Sequence, residues 1–173
     1  AWRQLEELIA YFQGDFYFLS DIIILAWRFH PKHPGKDKLW EKVAASGLPF
    51  VDARSIDLEE LNLASSCVVA NWGNTDPYKA LLCGVTVVTM LFPHDTHVRM
   101  DAGYPNGVPP IVITDEKWGA HSAEEVGALL SGVLVEDYEK TCEYTRTVRA
   151  KPFLPLLNPG ADERIAAAVK EYL

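Results

Sequence analysis

Four residues in a row, Gly73-Asn74-Thr75-Asp76, follow the apolar run Cys67–Ala70 and precede a short helical pattern. A corner of this kind can hold an anion. The first backbone N–H groups of a helix have no intrahelical partner, and the peptide dipoles add a partial positive charge there. Asp76-Pro77 suits a helix start, since Asp accepts from free N–H groups and Pro fits the first helical position. Asp76 therefore reads as a cap, although its carboxylate stands where a phosphate would rest. His30 is the candidate catalytic group, because imidazole titrates near neutral pH and can donate to a phosphate or move a proton. An ordinary surface-loop histidine is the alternative. His30 and His33 could share a metal, but no third and fourth ligand stand near in sequence, so none is expected. His94, Asp95 and His97 follow the next apolar run and are cleft candidates by topology. Trp72 and Tyr78 could stack on a base or pack the loop.

These residues need elements to position them. Cys67–Ala70 and Val85–Met90 are apolar and β-branched, as buried strands are. Tyr78–Cys83 reads as a helix, and Gly84 stands where a helix stops. Strand, turn, helix, glycine, strand predicts a βαβ unit with two parallel neighbours. Its corner then lies at a strand's carboxyl end, where open α/β sheets take ligands. Elsewhere the sequence predicts helices over Trp2–Phe12, Lys38–Ala45, Asp57–Ser65, Glu136–Arg149 and Ala161–Leu173, with another from Ser122. A short helix can begin at Asp95, and Pro105-Asn106-Gly107 reads as a turn. Asp57 with Glu60 and Ser122 with Glu125 have capping-box spacing. Strands are expected at Ile22–Phe29, Pro49–Val51 and, at an edge after two prolines, Ile111–Ile113. This alternation indicates α/β: a Rossmann-like three-layer sandwich with a mainly parallel sheet. No G-x-G-x-x-G turn occurs.

The chain has 173 residues, 49% of them hydrophobic, enough for one domain with a core. A net charge of −8 and a pI near 5.1 disfavour nucleic acid. Three cysteines, Cys67, Cys83 and Cys142, lack metal-like spacing and point to a reducing, cytoplasmic setting. Cys67 and Cys83 lie in apolar elements and read as small hydrophobes. The run Ile22–Trp27 is too short to span a bilayer.

From His30 to Asp115 the chain resembles the C-terminal, nucleotide-sugar-binding half of GT-B-type enzymes. Arg28-Phe29-His30-Pro31 resembles the strand end of UDP-N-acetylglucosamine 2-epimerases and of cell-wall polymer transferases. Asp57–Leu61 with Ala64-Ser65 resembles the helix before their donor strand. Gly73-Asn74-Thr75 with Ala80–Thr89 is similar to their donor loop and helix, and to those of O-linked N-acetylglucosamine transferases. Asp95–Arg99 is similar to the segment those transferases carry next.

The resemblance implies a nucleotide-sugar donor-binding domain over residues 1–150, with a Pro-rich connector and C-terminal helix over 151–173 packing on it. It implies a UDP-sugar-like substrate, no further cofactor, and an N-terminal domain or second chain completing the cleft. By position Thr75 and the free N–H groups after it would face the diphosphate, with His30 near the same cleft; Gly73, Asn74 and Asp76 complete the substrate-binding corner, and His94 and Asp95 join it by topology. Lys79 departs from the pattern. An acidic residue usually stands there to bind ribose, and lysine cannot accept a hydrogen bond. A cation in the first helical turn costs roughly 0.3–1 kcal/mol against the dipole. Phosphate binding would remove that cost; otherwise Lys79 points to solvent. A degenerate Rossmann-like interaction domain and part of a 2-epimerase remain the alternatives.

Overall fold

Both β-branched runs around the short helix form strands in the computed structural model, which describes residues 2–14, 24–29, 35–73, 76–92, 96–113, 115–133 and 138–153. Strands β3 (Cys67–Asn71) and β4 (Thr86–Met90) are parallel neighbours, Cys67 opposite Thr86 and Asn71 opposite Met90. Helix α4 (Asp76–Leu82) joins them. Gly84 ends it in the left-handed region at φ +80°. The Val85 N–H donates to the Ala80 carbonyl at 3.0 Å and the Gly84 N–H to that of Leu81 at 2.9 Å. This is the glycine-dependent closure that satisfies the last helical carbonyls. A third strand, β5 (Gly119–Ala120), pairs with Thr89 and Met90. A second parallel sheet holds β1 (Leu25–Trp27) and β2 (Phe50–Asp52), with Leu25 opposite Phe50.

Helices cover both faces of the β3–β4–β5 sheet. Side chains alternate across a strand, so Val88 and Met90 join one cluster and Val87 another. Leu8 and Phe12 of α1 (Trp2–Gln13) and Val126 and Leu130 of α7 (Ala123–Ser131) complete the first cluster. Ala80 and Leu81 of α4, with Ile111 and Val112, complete the second. A third cluster sets Leu5 of α1 against Leu39, Trp40 and Val43 of α2 (Lys36–Ala45), with Trp27 and Phe50 of the smaller sheet packed on it. The α/β class with parallel strands is as the sequence predicts.

Several local signals act as expected. Asp57 caps α3 (Leu58–Ala64), accepting the Glu59 N–H at 2.8 Å and the Glu60 N–H at 3.4 Å. Those bonds hold its carboxyl below the usual range. Ser122 accepts the Glu125 N–H at 3.2 Å, while the Glu125 carboxylate reaches back one residue further, to the His121 N–H at 2.7 Å. The Pro105–Gly107 turn places Asn106 at φ 55° and Gly107 at φ 67°. Helix α5 (Thr96–Asp101) precedes it.

Three expectations are corrected. The segment predicted as a strand at Ile111–Ile113 is one helical turn, α6 (Pro110–Ile113), and the strand that follows is Gly119–Ala120. Pro110 sits at the first helical position, which suits its fixed φ, and a short apolar run has no period to separate strand from helix. The predicted helix ending at Arg149 is α8 (Tyr138–Tyr144) followed by a π-helical turn, Thr145–Arg149. Cys83 is exposed, because it falls just past the end of α4. The expected elements at 22–23, 136–137 and 154–173, including the last helix, lie outside the described residues.

The π-helical turn has a structural cause. Strand β5 covers only the Thr89–Met90 end of β4. Toward the other end Thr145 and Thr86 hydroxyls bond at 3.0 Å, and Arg149 donates to the Val87 carbonyl at 2.9 Å. The Arg149 guanidinium is fully buried and lies 4.6 Å from the centre of the Trp118 ring. Burial lowers its pKa to about 10, so it stays charged at neutral pH. Asp115 lies near enough to favour that charge, while accepting from Trp118 Nε1 at 3.1 Å and the Tyr144 hydroxyl at 2.9 Å. Arg149→Ala should destabilise the protein by roughly 3 kcal/mol through the cavity and the unpaired carbonyl it leaves; a urea melt with an unchanged midpoint contradicts this packing.

Burial also pushes the thiol of Cys67, a half-buried residue, up to about 12. At pH 8 its reactive thiolate is then only ~1 part in 10,000. Iodoacetamide should modify exposed Cys83 of the folded protein at least ~100-fold faster than Cys67, measured by mass spectrometry of peptides; equal rates contradict the burial of Cys67.

Candidate functional site

A cavity of about 490 Å³ lies between the two sheets. Strand β1 contributes Ala26 and Trp27 and strand β3 its whole length, Cys67 to Asn71. The order within the sheets is β1-β2 and β3-β4-β5, so β1 and β3 each turn an edge to this space and share no ladder with each other. Helix α1 supplies Leu5 and Leu8, and α3 supplies Leu58, Leu61 and Asn62. Asn71, Asp76 and Met90 bring the carboxyl ends of β3 and β4 to the same space.

Of the corner singled out in the sequence, Asp76 lines this cavity and Gly73 does not. Gly73 follows the carboxyl end of β3 and is exposed, and a Cβ placed on it would meet nothing within 4 Å among the described residues. Asp76 is half-buried and lines the cavity with buried Pro77. Asn74 and Thr75 lie outside the described residues, as do His30, His94 and Asp95, so their place relative to the cavity is not described. His97 is exposed on α5 and does not line it.

Lys79 is exposed, with its ammonium 3.7 Å from the Glu59 carboxylate of α3. An ion pair this exposed is worth under about 1 kcal/mol, yet it removes the need for an anion to offset the helix dipole. Trp72 and Tyr78 are both used in packing. Trp72 meets Tyr104 edge-on at 5.6 Å, and Tyr78 meets Phe153 at 5.1 Å.

Arg99 holds the rear of the β4 loop. It is buried, donating from Nε to the Gly107 carbonyl and from Nη1 to the Leu91 carbonyl, both at 2.6 Å. Two cavity residues went unrecognised in the sequence, Asn62 and Trp27. Asn62 had a signal: a polar amide between Leu61 and Leu63, inside a helix where Asn is a poor former. Trp27 had none, since an indole in an apolar run reads simply as core. Among the described residues no group of three His, Cys, Asp or Glu could hold a metal, and no helix is long and apolar enough to cross a membrane. Compared with protein-family models, curated proteins and solved structures, the chain finds no match.

Proposed function

We propose that this chain is the nucleotide-sugar donor-binding domain of a GT-B-type glycosyltransferase, one half of a larger enzyme. The cavity between β1 and β3, bordered by Asn71, Asp76 and Met90, carries the reading. Open α/β sheets take ligands outside the carboxyl ends of their strands, where neighbouring strands part. Its volume of about 490 Å³ falls within the range of small-molecule pockets. The exposed Gly73 leaves room for a diphosphate beside it. Transfer would depend on positioning that diphosphate as leaving group and stabilising its charge with backbone N–H groups. His30 is the acid/base candidate, and an N-terminal domain or second chain would bring the acceptor.

The Lys79–Glu59 ion pair favours a second reading, an interaction domain without catalysis, because the lysine of the helix after the corner already has a partner. Calorimetric titration with UDP, UDP-N-acetylglucosamine and CDP at millimolar concentration separates the two. Saturable heat for a nucleotide or its sugar is expected; no heat for any of the three contradicts the donor role and leaves the interaction domain.

A further inference from the structure

We propose that Cys67 and Cys142 form a reversible disulfide site that ties helix α8 to the start of strand β3. The proposal goes beyond the donor-binding reading and does not rest on it. Its ground is a register. Tyr138, Cys142, Thr145 and Arg149 follow one another at helical spacing, so they share one face of α8 and of the π-helical turn after it. That face meets the larger sheet in order. Tyr138 is hydrogen-bonded to the Ser66 side chain, just before β3. Thr145 meets Thr86 hydroxyl to hydroxyl at 3.0 Å, and Arg149 donates to the Val87 carbonyl at 2.9 Å. Cys142 stands between Tyr138 and Thr145 on this face. Its counterpart on the sheet is Cys67, which follows Ser66 and is the ladder partner of Thr86. Partners in a parallel ladder lie about 4.8 Å apart and point to the same face. Cys67 therefore sits between the two contacts that Tyr138 and Thr145 fix. Tyr138 is also hydrogen-bonded to the Cys142 side chain, and the two thiols are near enough to bear on each other's charge.

Both cysteines are free and half-buried, whereas Cys83 is exposed beyond α4 and has no place in this register. Two thiols facing one another exchange with a small disulfide such as oxidised glutathione, which serves as the oxidant. Burial keeps Cys67 protonated at neutral pH, so the first attack falls to Cys142. The Cys142 thiolate bonds to one glutathione sulfur and releases the other as a thiolate. Cys67 then gives up its proton and displaces the second glutathione from Cys142. One S–S bond forms in the protein and one breaks in the oxidant; two electrons and two protons pass from the cysteine pair to two glutathione thiols. The bridge closes a long loop, from β3 to α8, and long loops are where a disulfide restricts the unfolded chain most. Bridges of this reversible kind serve redox sensing in reducing compartments. Cys67 also lines the cavity between the sheets, so the bridge fastens one of its walls to α8.

The test treats the folded chain with a ~10-fold excess of oxidised over reduced glutathione. Peptides are mapped by mass spectrometry without reduction, and thermal melts are recorded for the wild type, Cys83→Ser and Cys142→Ser. A Cys67–Cys142 linked peptide should appear in the wild type and in Cys83→Ser. Their Tm should rise by at least ~5 °C and return with dithiothreitol. Cys142→Ser should show neither change; if it does not fold, the linked peptide and the Tm rise in Cys83→Ser carry the test. Glutathione that stays on Cys142 without closure overturns the proposal. So does a bridge that uses Cys83, a Cys67–Cys142 bridge that forms only in urea, or a bridge that leaves Tm unchanged.

Discussion

Helix α1 seats across two sheets at once, and the cavity exists because of it. Its Leu8 and Phe12 belong to the cluster on β4 and α7, while its Leu5 packs with α2 beneath the smaller sheet. The start of the helix is tied to both sides. Gln4 donates to the Phe92 carbonyl just past β4, and Glu6 pairs with Lys42 of α2. Against α7 the approach is so close that a Cβ on Gly127 would collide with the Tyr11 ring. Burying apolar area on both sheets stabilises the fold at about 25 cal/mol per Å². It also fixes how far apart β1 and β3 stand, and that separation leaves their edges unpaired with each other.

An unpaired strand edge inside a protein is expensive, since each buried backbone group wants a partner. Soluble proteins usually cover or shorten such edges. Here the edges meet a space large enough for a small molecule, lined also by α1 and α3. Contrast the far side of the larger sheet. There β5 is too short to cover β4, and the chain supplies Arg149 and Thr145 to occupy the exposed backbone and hydroxyl groups. One gap is closed by the protein's own side chains, and the other is left as a cavity.

How much of this was legible in the sequence depends on the range of the signal. The β3–α4–β4 unit was legible because each signal is local: β-branched runs, Asp76-Pro77 at the start, Gly84 at the stop. The Asp57 and Ser122 caps formed for the same reason. Ile111–Ile113 was misread because three apolar residues carry no period, and Pro110 decided for a helical turn. Arg149 was invisible as a core residue, since a basic side chain on an amphipathic helix ordinarily faces water; only the shortness of β5 draws it in. The turn at Gly73 was legible from its glycine and the Asp76-Pro77 pair, but the cavity lined by Asp76 was not. Its walls come from α1, α3, β1 and β3, and no single stretch of sequence contains them.

The claim that the space between β1 and β3 receives the ligand is tested most directly by a ¹⁵N-resolved NMR titration with UDP-N-acetylglucosamine. Backbone signals of Trp27 and of Val68–Asn71 should shift progressively and saturate together. Saturable shifts confined to other parts of the chain, with those resonances unmoved, would place the ligand elsewhere and contradict the claim.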